Sequence, residues 1–242
     1  MCVKMLNPTM EETMIDTAAG SSGFPVHTIF HVWKQMQISE KKPVNHLFTA
    51  IPKGYSETEY VKEKVYAIDF DEKAVRVART LNLIAGDGHT NVLHLNSLDY
   101  ARWVTVTRDE DWVDTYNEGF KRLKKLRQGE DFSHFNFDVL MANPPFAGEV
   151  KEGQILSRYE LGMKNGKTLR SVSRDTLFIE RNLNFLKPGG RMAIVLPQGR
   201  FNNNLDKHIR EYITEHCRIL AVVGLHSLIN KTLFGLREGL LC

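Results

Sequence analysis

Cysteine is scarce in this chain: Cys2, Cys217 and Cys242 are the three among 242 residues. They lie far apart, their number is odd and none belongs to a CxxC pair. A disulfide scaffold and a cysteine-based zinc site are therefore not expected, and a reducing, cytoplasmic setting is. No apolar run reaches membrane-spanning length, so no membrane partner is expected. The opening MCVKMLNPTMEETMIDTAAG lacks the basic-then-apolar order of a secretion signal. Excess charge of one sign is also missing. Lys plus Arg is 32 and Asp plus Glu is 29, a net charge of +3. That excess is too small to argue for nucleic acid alone, although a local patch can outweigh the total. The nine histidines form no ligand-spaced cluster, so no metal is expected. There is no internal repeat, no phosphate-loop GK[ST] and no G-x-G-x-x-G.

What is present is a soluble globular composition, 42% hydrophobic and 25% charged. The length suits one large domain or two small ones. Apolar strands alternate with helices. Thr13 to Asp16 reads as a short strand. A small-residue turn follows, then a helix opening near Gly23 with Pro25 in its first turn. KVYAIDFD is a strand ending near Asp69. DEKAVRVARTLNLIAG is its helix, with Ala74, Val77, Ala78 and Leu81 on one face and Gly86 as its stop. NVLHLNSL and NFDVLMAN are strands. SRDTLFIERNLNFLKPGG is a helix on which Ile179, Leu183 and Leu186 recur. RMAIVLPQG, NLDKHIREYITEHC and RILAVVGL are strand, helix and strand. The fold class expected is α/β, a mostly parallel sheet with helices on both faces. Residues 38–62 and 99–136 break the rhythm and read as excursions from the sheet. Within the second, the basic Lys121–Arg127 portion reads as an amphipathic helix. Its default role is a solvated face; contact with phosphates is the minority reading.

Open parallel sheets bind ligands beyond the carboxyl ends of their strands. The unusual polar residues fall there: Asp16, Asp69, Asn96 and Asn143. DTAAGSSGF lets a ligand approach the backbone closely and points the next helix's free N–H groups at it. Asp69 can accept from ribose hydroxyls, with Asp71 the better helix cap. Asn96 suits the edge of an adenine and suits a turn equally well. Asn143 ends an apolar strand, where an unpaired amide is costly. Pro144 and Pro145 stiffen the elbow behind it. Asn143 Oδ1 and the Pro144 carbonyl are two fixed acceptors, which suit an exocyclic NH2 group. Phe146 offers a flat face for a base.

These motifs resemble the AdoMet-dependent DNA adenine-N6 methyltransferases, most closely the modification subunits of type I restriction-modification systems. DTAAGSSGF resembles that family's cofactor loop, usually DPACGSGGF; NPPF resembles its catalytic motif; KPGGRMAIVLPQGRFNN resembles a later stretch. The likeness runs from about residue 6 to about residue 226. It implies a Rossmann-like methyltransferase fold with S-adenosyl-L-methionine as methyl donor. Asp16, Ala18, Gly20 and Gly23 would surround the methionine end, Asp69 the ribose, Asn96 and Leu98 the adenine. Asn143, Pro144, Pro145 and Phe146 would form the catalytic motif. Lys164, Lys167, Arg170 and Arg174 follow the catalytic loop in sequence and are for that reason alone the candidate DNA contacts. The partners implied are double-stranded DNA, a specificity subunit and a second modification subunit, with a restriction subunit as an optional addition. The departures are Thr17, Ala19 and Ser22 in the first loop, Asn96 for a usual aspartate, and no upstream TPR-type motif or N-terminal helical domain. The chain is therefore expected to be a catalytic core over residues 1–226. The tail LHSLINKTLFGLREGLLC over residues 227–242 is expected to diverge and leave the sheet without its last strand. Two other readings share the motifs: an NPPF methylase of RNA or protein glutamine, and a catalytically incomplete subunit that only binds.

Overall fold

The computed structural model describes residues 1–41, 54–84, 91–224 and 230–237. Seven strands form one sheet: β1 (Met14–Asp16), β2 (Val65–Asp69), β3 (Val92–His94), β4 (Phe137–Ala142), β5 (Leu186–Pro197), β6 (Cys217–Gly224) and β7 (Asn230–Arg237). Their order is β6-β7-β5-β4-β1-β2-β3. The first five strands are mutually parallel, and β7 lies antiparallel between β5 and β6. A last strand was expected to be missing. It is present, and it sits inside the sheet because its backbone pairs on both sides, Ile194 with Leu233 and Val222 with Leu233.

Side chains alternate across the sheet with the two-residue period of a strand. Met14, Val139, Met141 and Ala193 enter one buried cluster with Ile29, Val32 and Trp33. Ile15, Leu140, Ala142, Met192 and Ile194 enter the other. Both faces are thus dry, which is why these strands read as continuous apolar runs. Each fully buried aliphatic side chain contributes about 1.5–3 kcal/mol.

On the first face lie α1 (Cys2–Leu6), α2 (Gly23–Ser39) and α3 (Tyr55–Lys64). Pro25 falls at the third position of α2, where its missing N–H costs no helical bond. The Trp33 indole donates to Glu57 O at 2.9 Å, so part of the stretch read as a first excursion is packed helix. The other cluster is covered by α4 (Glu72–Ile84), α5 (Glu110–Lys125), α6 (Arg174–Phe185) and α7 (Lys207–His216).

Two expectations fail here. The buried stripe of α4 is Val75, Ala78 and Asn82, whereas Val77 is 50% and Leu81 42% exposed. The apolar face inferred from the sequence is rotated by about one position, because the helix lies at the sheet margin and Arg79 reaches across to Val92 O. Gly86, its expected stop, lies outside the described residues. The stretch 99–136 is not an excursion throughout. Asp109 caps α5 by accepting from Trp112 N, and acids at its start and bases at its end match the helix dipole. The Trp112 indole donates to His94 O at 2.8 Å, and Phe120 and Leu123 are core residues.

Candidate active site at the carboxyl ends of the strands

The strand order reverses between β1 and β4, and loops after parallel neighbours diverge there, opening a crevice. A cavity of about 650 Å³ occupies it, bordered by Thr17, Ala18, Gly20, Asp69, Asn143 and Arg174. Asn96, Leu98, Pro145, Glu149, Glu152 and Phe178 complete most of its wall.

The loop after β1 is shaped by its small residues. Gly20 and Ser22 adopt left-handed φ angles of 51° and 69°, the first natural for glycine. Ala19 N donates to Ile68 O at 3.0 Å, and Gly20 N to Asp69 Oδ2 at 2.8 Å. Asp69 Oδ1 accepts from Asp71 N at 2.8 Å, and Asp71 Oδ1 from Lys73 N at 2.8 Å. Asp71 is the helix cap, as expected. Asp69 is not left wholly to a ligand, because it also braces the loop; it borders the cavity, and each of its oxygens has a further lone pair.

Asp16 lies beneath the loop rather than on the cavity wall. It is buried and accepts from Ala18 N at 3.1 Å. Burial raises its carboxyl from 3.8 to about 8; the Ala18 N–H opposes this, and the charge of Asp69 adds to it. Asn96 Oδ1 accepts from Leu98 N at 3.0 Å and Asp99 N at 3.4 Å. It therefore serves the turn as well as lining the cavity. Gly23 opens α2 away from the cavity wall.

At the end of β4, Asn143 is exposed on the cavity wall, Pro144 is buried and Pro145 is exposed. Phe146 is half-buried and lies outside the cavity lining. The four cations separate. Arg174 lines the cavity and packs against Gly148, where a Cβ would come within 3.1 Å of its guanidinium carbon. Lys164 and Lys167 sit on an exposed hairpin turned by Asn165 and Gly166, at φ 50° and 73°, an Asn-Gly turn. Arg170 is exposed nearby in sequence. The Lys121–Arg127 run serves the fold: Arg122 donates to Asn91 Oδ1, Lys124 lies over Phe120, and Arg127 over Phe132.

Sequence reasoning missed Phe70 and a set of residues behind the loops. Phe70 is 68% exposed and lines the cavity beside Asp69. An exposed ring next to a strand-end acid was a signal available in the sequence. Behind the wall, Ser97 Oγ donates to Thr17 O at 2.6 Å, and Thr17 Oγ1 to Asn182 Oδ1 at 2.6 Å. Arg181 is fully buried; it donates to Ser97 O and Phe132 O, each at 2.8 Å, and to Ser133 O. Four aromatic rings surround its guanidinium. Asp69, Asp71, Glu149 and Glu152 face Arg174 around the cavity. The acidic excess suits a cationic ligand and opposes a phosphate. Among the described residues no group of His, Cys, Asp and Glu could hold a metal ion, and no helix is long and apolar enough to cross a membrane.

Sheet order, antiparallel penultimate strand and a cavity at the reversal point define a Rossmann-like methyltransferase fold. The chain belongs to the N-6 DNA methylase family, which it matches over residues 1–234. It is 29% identical over 105 residues to the Escherichia coli type I restriction enzyme EcoEI methylase subunit, covering 43% of this chain and 20% of that protein. It is 26% identical over 110 residues to the E. coli type II restriction enzyme and methyltransferase RM.Eco57I, covering 43% of this chain and 11% of that one. The structure of the type I restriction enzyme EcoKI M protein superposes with a TM-score of 0.61 at 16% identity, over 98% of this chain and 42% of that chain. The chain thus spans less than half the length of each of these proteins.

Proposed function

We propose that this chain transfers the methyl group of S-adenosyl-L-methionine to the exocyclic N6 amine of adenine in DNA, acting within a type I modification subunit. One observation carries the reading: the Asn143–Pro145 elbow opens onto the same cavity as the Gly20 loop and Asp69. The acidic wall fits a ligand bearing a sulfonium and an ammonium, and about 650 Å³ falls in the range of small-molecule sites. The bound cofactor supplies a methyl group made electrophilic by its sulfonium.

The chain supplies the rest. Ala18, Gly20 and Gly23, braced by Asp16, shape the loop around the methionine end. Asp69 accepts from the ribose, and Asn96 and Leu98 border the adenine. Asn143 Oδ1 and the Pro144 carbonyl accept the two hydrogens of the target amine. This draws its nitrogen out of conjugation and directs the lone pair at the methyl carbon. Positive charge grows on that nitrogen as its bond to the methyl carbon forms and the carbon–sulfur bond breaks, so the same acceptors bind the transition state more tightly than the ground state; the neutral thioether departs, and the surplus proton on nitrogen passes to solvent. Pro145 keeps the elbow stiff, which preserves alignment. The target base must leave the duplex to reach the cavity. Phe146 stacks on it and recovers about 1–3 kcal/mol of the unstacking cost. Arg174, Lys164, Lys167 and Arg170 are the candidate phosphate contacts. Base reading falls to a specificity subunit, in an assembly with a second modification subunit to which a restriction subunit is an optional addition.

The test is methyl transfer from labelled cofactor to unmodified DNA, RNA and protein, with the cognate specificity subunit present. Label on adenine N6 of DNA is expected. Label on RNA or on glutamine, or cofactor binding without any transfer, would overturn the assignment.

A further inference from the structure

The loop that leaves the Asn143–Pro145 elbow is gripped by three consecutive residues. Val172 and Ser173 pair antiparallel with Val150 and Glu149, and Arg174 N donates to Gly148 O at 3.1 Å. Gly148 stands two residues beyond Phe146 with φ at 92°, and the Arg174 guanidinium occupies the space that a Cβ there would need. Glu149, Val150 and Arg174 all border the cavity. Where the elbow's exit lies thus depends on where residues 172–174 lie.

Those residues are fixed from the next strand. β5 runs beside β4 with Ile194 opposite Ala142, so the turn Gly199–Asn202 leaves the sheet on the same rim as Asn143. From that turn Arg200 spreads its planar fork. Nε donates to Asp175 Oδ2 at 2.7 Å, and Nη2 to Asp175 Oδ1 at 3.0 Å and Ser173 Oγ at 2.6 Å. Nη1 donates to Asp206 Oδ1 at 3.0 Å, and Arg200 O accepts from Arg210 Nη1 at 3.1 Å. Serine and aspartate at a helix start ordinarily serve the helix. Here Ser173 holds the N-cap position of α6 without making a side-chain cap bond, and Asp175 is fully buried with both oxygens on Arg200. A buried ion pair gives little net stability over apolar residues of the same volume. What the fork supplies is geometry, because two parallel bonds set both distance and orientation.

We propose that Arg200 is a positioning residue for methyl transfer. It fixes Ser173 and Asp175, and through Ser173 and Arg174 it fixes the loop that leaves the catalytic elbow. The proposal rests on the methyltransferase reading and deepens it. Arg200 is not among the residues bordering the cavity, and the Gly20 loop and Asp69 belong to other elements. Loosening Arg200 therefore shows in turnover and not in cofactor affinity.

Arg200→Met would strand a buried carboxylate and endanger the fold. The test instead uses Arg200→Lys, which keeps the charge and loses the fork, and Ser173→Ala, which strands no charge. Thermal melts establish which variants fold. Calorimetry of the chain with S-adenosylhomocysteine reads affinity. Methyl transfer to DNA at saturating cofactor, with the cognate specificity subunit present, reads kcat. Arg200→Lys should lower kcat by about tenfold or more while affinity stays within about twofold, the split expected when alignment alone is lost. Ser173→Ala should show a smaller loss of the same kind. The double variant should lose no more than Arg200→Lys alone, because both changes cut one path. Unchanged kcat in folded Arg200→Lys protein, or equal loss of affinity and turnover, overturns the proposal, as do losses that multiply in the double variant. If Arg200→Lys does not fold, Ser173→Ala decides: lowered kcat with affinity kept supports the proposal, and unchanged kcat overturns it. A wild-type complex that methylates no DNA would instead sink the methyltransferase reading beneath it.

Discussion

Asn143 differs from the other polar residues at the strand ends in what its side chain is doing. Asp16, Asp69 and Asn96 all accept backbone N–H groups, so each has a structural duty. Asn143 has none of these contacts and stands exposed on a stiff elbow at the cavity. Asn143→Ala should therefore leave stability and cofactor affinity nearly unchanged while methyl transfer falls by about 10²-fold or more, the scale of losing one transition-state hydrogen bond. Single-turnover kinetics of the assembled complex measures it, and unchanged turnover would remove Asn143 from the mechanism. Asp16 gives a different signature. With its carboxyl raised from 3.8 to about 8 by burial, it is neutral in both folded and unfolded chains below about pH 3.8. Between there and about pH 8 only the unfolded chain has ionised, so its contribution lowers stability as pH rises. Asp16→Asn should flatten that slope in denaturant unfolding measured at several pH values. A cation seated near Asp16 and Asp69 offsets the charge of Asp69 and favours the ionised form of Asp16, which lowers the raised carboxyl. Cofactor binding should then release a proton below about pH 8, visible as a dependence of binding enthalpy on buffer ionisation heat, and lost in Asp16→Asn.

Among the helices, α6 does most to hold the site together. Every residue from Asp175 to Leu183 is buried. Its first residue donates its backbone N–H to Gly148 O in the loop after the NPPF elbow, and Asp175 takes a two-pronged bond from Arg200. Glu180 accepts from Glu160 N and Leu161 N, and Arg181 and Asn182 hold the loops after β3 and β1. Arg181→Met would take donors from the buried Ser97 and Phe132 carbonyls and the half-buried Ser133 carbonyl, at a cost of about 3 kcal/mol or more. Asn182→Leu is gentler. It should weaken cofactor affinity several-fold through Thr17 while turnover at saturation changes little, so KM and kcat separate. Equal loss in both would mean that the helix reaches the reacting atoms by another path. This helix also shows what was legible in advance. Ile179 and Leu183 repeat at helical spacing and are core, as expected. Glu180, Arg181 and Asn182 between them look solvent-facing by residue type, yet their partners are the Glu160 and Leu161 amides, the Ser97, Phe132 and Ser133 carbonyls and the Thr17 hydroxyl, all far away in sequence. Local periodicity records burial against a sheet but not which backbone groups a loop will leave unpaired. The strand ends were readable for the opposite reason: an apolar run that stops at Asp69 or Asn143 marks the sheet edge by itself.

At the scale of the whole molecule, the sheet depends on the segment that read as a divergent tail. Its backbone enters between β5 and β6 and pairs along its length with both, from Arg191–Leu236 to Pro197–Asn230 on one side and from Cys217–Arg237 to Gly224–Lys231 on the other. The sequence NKTLFGLR gives little warning, because a glycine inside a strand weakens the local signal and the choice of partners is set by strands that precede it. A chain ending at residue 226 would turn β5, otherwise internal, into an open edge with unpaired N–H and C=O groups. It would also leave β6 without its only strand neighbour among the described residues. Ala221 and Val223 of β6, packed on the cluster shared with β1 and β4, would lose their support. Open edges of this kind pair with other chains, and each lost ladder bond costs roughly 0.5–1.5 kcal/mol. The truncated protein should melt well below the full chain by circular dichroism and form aggregates in light scattering. The Asn143 elbow at the other side of β5 should lose its rigidity with it, so cofactor affinity of any soluble fraction should fall. A monomeric 1–226 fragment with an unchanged melting temperature would show that β7 completes the sheet without supporting it.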